Sequence, residues 1–202
     1  PSEYEAATDK LLKECANHMG KSSSYHRVDV GVFFGIKGET VKDPYFNGEG
    51  PDRTGCILCG GCMVGCRYNA KNTLDKNYLF FAEKLGVSIL SEHEVEDIVP
   101  LVDGGYQLFL KKSTGILRPH RKIQCKKLIL SGGVIGTVKL LLKCKNSRTL
   151  ANLSSKLGDF VRTNSESIIG VKLKKTPKED FSKGIAISAG FSPNKKTKIE
   201  TV

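Results

Sequence analysis

This sequence predicts a mixed α/β fold, with α+β elements and an antiparallel sheet, on three observations. Residues 3–20 and 73–85 repeat apolar side chains at three- and four-residue intervals, the spacing of helices packed on one face. Residues 95–102 and 106–110 flank Asp103-Gly104-Gly105, which supplies the positive-φ positions of a tight hairpin. Residues 127–130 read as a buried strand and run at once into a glycine-rich turn and a helical pattern. With 202 residues and 39% hydrophobic content, the chain can fill one sizeable core or two small ones.

In chain order, the first helix is expected to present Tyr4, Ala7, Leu11, Leu12, Cys15 and Met19 to the core and to end at Gly20. The stretch V-D-V-G-V-F-F-G offers a short strand, and D-P-Y-F-N-G-E-G-P-D-R-T-G after it is too rich in Gly and Pro for regular structure. Thr73 is placed to cap a second helix with Leu74, Tyr78, Phe81, Ala82 and Leu85 on one stripe and Gly86 as its stop. β-Structure then begins at the apolar run 87–90 and continues through the hairpin. A further strand at 116–123 is expected at an edge, because Pro119 has no N–H for a ladder. Residues 168–173 and 185–189 are apolar segments divided by the polar K-L-K-K-T-P-K-E-D-F-S-K-G.

A net charge of +11 would suit phosphates or an anionic surface, but the lysines are spread along the chain with no basic-aromatic cluster, so a solvated basic surface and no nucleic-acid partner are expected. No stretch approaches the roughly 20 apolar residues of a membrane span, and P-S-E-Y-E-A-A-T-D-K lacks the core of a signal peptide. No transmembrane segment is therefore expected. The four histidines share no ligand spacing, and no G-x-S-x-G elbow is present, which leaves hydrolase chemistry without a nucleophile. Seven cysteines, four of them within eleven residues, point away from a secreted disulfide framework and towards thiols or metal ligands in a reducing, cytoplasmic compartment.

Those four, Cys56, Cys59, Cys62 and Cys66, follow the C-x2-C-x2-C-x3-C spacing of bacterial ferredoxins, with Gly60, Gly61 and Gly65 leaving backbone amides free to bond sulfur. Two features depart from that pattern. Arg67 stands where ferredoxins have Pro, and the fourth ferredoxin cysteine serves a second cluster for which no other ligand set exists. Three states stay open: a 4Fe–4S cluster, a zinc site, and free or disulfide-bonded thiols that simply pack. Zinc fits less well, because its ribbons separate two Cys pairs by a dozen or more residues.

In Ser131-Gly132-Gly133-Val134-Ile135-Gly136, two of the three glycines of a dinucleotide fingerprint are in register, at Gly133 and Gly136. Missing Cβ atoms there would let a helix N-terminus approach a phosphate or a flavin edge; the alternative is a glycine turn needed only for helix–strand packing. No acidic residue closes a strand about 20 positions later, so a nicotinamide site has no support.

The segments G-C-R-Y-N-A-K-N-T-L-D-K-N-Y-L, S-E-H-E-V, D-G-G-Y, K-L-I-L-S-G-G-V-I-G-T-V-K-L-L-L and L-G-D-F-V-R-T-N-S-E, in this order and at these intervals, resemble the middle of a cholesterol-oxidase-like member of the glucose–methanol–choline (GMC) oxidoreductases. The resemblance implies FAD as cofactor, bound by a domain assembled from separated chain segments and interleaved with an antiparallel-sheet substrate domain. By it, residues 1–72 are a substrate-side linking segment with the Cys-rich loop, 73–165 part of the FAD-binding domain, and 166–202 the start of the substrate sheet. It also implies that Val95 meets the FAD adenine, that Gly132, Gly133 and Gly136 line the cofactor, and that Asn164 lies towards the active site. The chemistry implied is oxidation of an alcohol, a sterol among the candidates, by hydride transfer to flavin. The catalytic His and Asn and the N-terminal G-x-G-x-x-G turn of such enzymes have no counterpart in this chain, which is expected to be an inactive fragment needing the remaining N- and C-terminal parts. A cluster in the Cys-rich loop would relay electrons from flavin to a carrier; the competing function is an iron–sulfur electron-transfer module.

Overall fold

The computed structural model describes residues 4–202 and is a mixture of short helices and antiparallel sheets, as expected. In chain order come α1 (Ala7–His18), β1 (His26–Arg27), β2 (Thr40–Val41), β3 (Arg53–Thr54), α2 (Tyr78–Lys84), β4 (His93–Pro100), β5 (Tyr106–Lys112), β6 (His120–Cys125), α3 (Gly133–Asn146), β7 (Ala189–Asn194) and β8 (Thr197–Glu200). They form two compact units: Pro1–Ser88 with Lys172–Val202, and Ile89–Val171.

In the first unit, β1, β7 and β8 make an antiparallel sheet with His26 opposite Gly190 and Phe191 opposite Ile199. Helix α1 packs on β7, but through a different face from the one its apolar pattern predicts. Leu11 and Met19 are exposed and so is Cys15, whereas Ala6, Asp9 and Ala16 are buried. The reason is that small alanines allow close approach to the strand, and Asp9 finds enough donors to be buried at no loss of hydrogen bonds. Its carboxylate accepts from the Ala6 N–H at 2.9 Å, the Ser188 hydroxyl at 2.5 Å and the Thr201 hydroxyl at 3.2 Å, with the Arg27 guanidinium 3.9 Å away.

Elsewhere in this unit, Arg53 is fully buried and knits the N-A-K-N-T-L-D-K-N-Y-L segment to the loop before it. Its Nη2 donates to Asn72 Oδ1 at 2.7 Å and to the Lys76 carbonyl at 2.8 Å, and its guanidinium lies 5.6 Å from the centre of the Tyr45 ring. The second predicted helix is divided: Leu74–Lys76 is a single 3-10 turn and α2 starts only after Asn77, whose φ of −142° breaks the spiral and whose side chain caps the Tyr78 N–H. Gly86 does end it, at φ 90°. The predicted strand within V-D-V-G-V-F-F-G is reduced to one bridge, Val32 to Lys71.

The second unit is a meander, β4–β5–β6, with Leu108 facing both Ile98 and Ile123. The predicted hairpin forms, with Gly104 and Gly105 at φ 90° and 86°, and β6 is an edge strand entered directly after Pro119. Helix α3 packs on β4. Cys144 is buried there with Ile98, Leu108 and Leu110, and Asp97 Oδ1 accepts from Thr149 Oγ1 at 2.6 Å and from Cys144 Sγ at 3.3 Å. Burial opposes the charge on Asp97, yet these donors and the Ile98 N–H hold its carboxyl below the ordinary range.

Two predicted extended segments, 87–90 and 127–130, are not strands, and the apolar segment 168–173 is not one either. Ile129 is 88% exposed and Ile168 80% exposed, and no described strand pairs with them. An apolar run becomes a strand only when a neighbour takes up its N–H and C=O groups.

Two consequences can be measured. Asp9→Ala leaves Ser188, Thr201 and Arg27 around an unfilled site and should cost about 3 kcal/mol, read as lost hydrogen-exchange protection of the β7 amides; an unchanged protection would contradict the role given to Asp9. Because the folded-state value of Asp97 is depressed, its contribution is present above the unfolded carboxyl value and lost as pH falls through the folded one. Acid unfolding of the second unit should therefore shift to higher pH in Asp97→Asn than in the native protein.

Candidate functional site

Two places bring together residues singled out from the sequence, one in each unit. In the first unit the Cys-rich loop curls on itself. Gly60 adopts φ 72° and opens a 3-10 turn, Gly61–Val64, that ends at Gly65. A side chain at Gly60 is excluded twice, by this left-handed conformation and because its Cβ would stand 2.2 Å from the Ser182 carbonyl oxygen. The loop is clamped from the far end of the sequence: Gly60 N–H donates to the Gly184 carbonyl at 3.1 Å and Gly184 N–H to the Leu58 carbonyl at 3.0 Å.

That curl places Cys56, Cys59, Cys62 and Cys66 around one small cavity, whose remaining wall includes Val32 and Ala70. None of the four is in a disulfide. Donors converge on the sulfurs: the Leu58 N–H lies 3.4 Å from Cys56 Sγ, and the N–H groups of Tyr68, Ala70 and Lys71 face Cys66. Burial pushes the Cys56 thiol up, reinforced by the neighbouring thiols and only partly offset by the Leu58 N–H. At Cys66 burial acts in the same direction, but the three N–H donors and the Lys76 charge outweigh it and hold the thiol below its ordinary value. Among the described residues, no group of three or more His, Cys, Asp or Glu side chains is gathered to hold a single metal ion.

In the second unit, Gly132, Gly133 and Gly136 lie together at the start of α3. Gly132 precedes the helix, its N–H donating to Thr137 Oγ1 at 3.1 Å, and Gly133 turns the chain at φ 70°. No side chain caps this end, so the first N–H groups of α3 are left to other partners. The turn is exposed, and a Cβ at Gly133 or Gly136 would meet nothing within 4 Å. Val95 sits on β4, half-buried, immediately before the bulge at which the ladder shifts by one residue to Asp97. Asn164 stands apart on exposed coil, its Nδ2 donating to Glu166 Oε2 at 2.7 Å.

The local motifs were visible in the sequence; their supports were not. Arg53, Gly184 and Ser182 are separated from the motifs they brace, and nothing in their own neighbourhoods marks them. The one available signal was an arginine inside a glycine- and proline-rich loop, which sterically cannot be a helix face and so had to be held some other way.

No family model matches the chain. It is 43% identical over 202 residues, 95% of its length, to a cholesterol oxidase of Acinetobacter baumannii, of which it covers 36%. It is 41% identical over 201 residues, 96% of its length, to a cholesterol oxidase of Mycobacterium tuberculosis, of which it covers 35%. The chain thus spans little more than a third of the length of the relatives it matches.

The opposed shifts at Cys56 and Cys66 predict an order of reactivity. In metal-free protein, alkylation of Cys66 by a thiolate-selective reagent should level off at lower pH than that of Cys56, as followed by peptide mass spectrometry. Identical pH profiles would show that the donors around Cys66 do not favour its thiolate.

Proposed function

We propose that the whole protein is an FAD-dependent oxidoreductase that oxidises the hydroxyl of an alcohol, with a sterol as the first substrate to test, on the similarity of this chain to cholesterol oxidases over the segment it spans. The observation that carries this proposal is the identity to cholesterol oxidases along 95% of the chain, which takes in both the glycine turn and the segment around Val95.

The glycine turn fits a cofactor of this kind. An anionic or electron-rich group can come close to Gly132 and Gly133 because no Cβ bars the way, and the uncapped start of α3 offers N–H donors and a positive dipole end. FAD, when bound, supplies the acceptor for the hydride. The contribution of this chain is to bind and orient it: Gly132, Gly133 and Gly136 along the cofactor, the Val95 backbone at its adenine, and Asn164 on the side of the reacting groups. Under this proposal 73–165 is flavin-domain material, and 1–72 and 166–202 lie on the substrate side. No residue here is assigned as the catalytic base. The partners are an alcohol or sterol and the other parts of the same protein. A reducing, cytoplasmic setting is part of the same proposal, on the crowding of four cysteines into eleven residues.

Gly136 gives a clean test, because a side chain there has open space within this chain. Gly136→Val in the whole protein should fold with unchanged melting yet hold FAD about tenfold more weakly, ~1.4 kcal/mol, and a sterol or simpler alcohol should bleach the flavin of the native protein under anaerobic conditions. A whole protein that purifies without flavin and takes up none when FAD is added would overturn the proposal.

A further inference from the structure

We propose that the loop between β5 and β6 is a membrane-docking tip, in which Ile116 and Leu117 enter an anionic lipid surface while Arg118, Arg121 and Lys122 bind its headgroups. The net charge of +11 conceals where the cations lie. Between Asp103 and Asp159 there is no acidic residue at all, while twelve Lys and Arg stand in that interval, which spans β5, β6 and α3. Seven of the twelve fall from Lys111 to Lys127, on either side of this one loop.

The tip is held at its neck and open beyond it. The Lys112 N–H donates to the Pro119 carbonyl at 3.1 Å, and the Ser113 N–H to the Glu92 carbonyl at 2.8 Å. Gly115 then turns the chain at φ 84°, and Arg118 Nε reaches back to the Gly115 carbonyl at 3.5 Å. On this turn Ile116 is 101% and Leu117 86% exposed. Single apolar residues scattered over a surface need no explanation, but two adjacent ones at full exposure on a held turn form a wedge suited to an apolar phase.

The surrounding charges decide which phase. Lys111 and His120 share Glu96, at 3.9 and 3.3 Å, and Lys112 faces Glu92 at 3.8 Å. Arg118, Arg121 and Lys122 are exposed and have no carboxylate partner among the described residues; Lys122 rests 5.1 Å from the centre of the Phe109 ring. An apolar segment from elsewhere in the protein would bury the wedge but leave these three cations without a counter-charge. An anionic lipid surface supplies hydrocarbon for the wedge and headgroup anions for the cations together. Nucleic acid matches the cations and gives the two aliphatic side chains nothing. The opposite end of β5 offers a comparison: at the tip between β4 and β5, Val102 is 104% exposed, but Asp103 beside it would be repelled by the same surface. Such docking is peripheral, since among the described residues no helix is long and apolar enough to cross a membrane.

The test is sedimentation of the whole protein with vesicles of phosphatidylcholine alone or of equal parts phosphatidylcholine and phosphatidylserine. Binding is expected to favour the anionic vesicles and to fall as salt is added. Ile116→Asp/Leu117→Asp should weaken it about tenfold or more, and Arg121→Gln/Lys122→Gln about tenfold. Val102→Asp should leave it unchanged, and all three variants, altered at exposed positions, should melt as the native protein does. Native protein that stays in solution with anionic vesicles, that sediments equally with both kinds, or whose Ile116→Asp/Leu117→Asp variant binds as well as the native form would overturn the assignment. So would tighter binding to duplex DNA than to anionic vesicles. Flavin retention is a separate measurement, so failure here leaves the oxidoreductase proposal standing on its own test.

Discussion

A buried carboxylate governs the first unit. Asp9 receives the Ala6 N–H from its own helix start, the Ser188 hydroxyl from the approach to β7 and the Thr201 hydroxyl from beyond β8. One side chain near the beginning of the chain is thereby tied to two near its end. The order of the Cys-rich loop depends on the same returning segment, because Gly184 pairs with Leu58 and Gly60 while Ile185 enters the core beside Cys56 and Leu58. Remove the return of 172–202 and the loop loses both its clamp and part of its apolar floor.

Asp97 plays a comparable part in the second unit at smaller scale. It follows the bulge in β4, and its carboxylate collects the Cys144 thiol and the Thr149 hydroxyl, which fixes the C-terminal half of α3 against the sheet. The opposite end of the same helix is left uncapped, with glycines at its first turn. One end is thus anchored by side-chain bonds and the other left uncapped, an asymmetry that would suit the cofactor edge proposed for it.

The cysteine loop combines features that packing alone does not require. Its left-handed Gly60 and the packing of the loop bring the four unbridged thiols to one small cavity, where N–H donors favour the thiolate at Cys66 and burial disfavours it at Cys56. Backbone geometry of this kind is costly for residues with side chains, which is the reason glycine is needed at Gly60.

By itself the sequence determined what depends on neighbours along the chain: the hairpin at Gly104 and Gly105, the stop at Gly86, the glycine turn before α3, the cysteine spacing and the likeness to cholesterol oxidases. It misjudged α1, because hydrophobic periodicity scores Leu11 and Met19 above an aspartate, and only the distant hydroxyls of Ser188 and Thr201 make burial of Asp9 favourable. It placed strands at 87–90 and 127–130, where the composition is right but no described strand supplies the ladder. Tertiary structure alone decided that Arg53 would knit the asparagine-rich segment, that Gly184 would clamp the cysteine loop, and that the fourth cysteine would join the other three. Each of these rests on contacts between residues far apart in sequence, and local pattern carries no information about which distant group will arrive to complete a hydrogen bond.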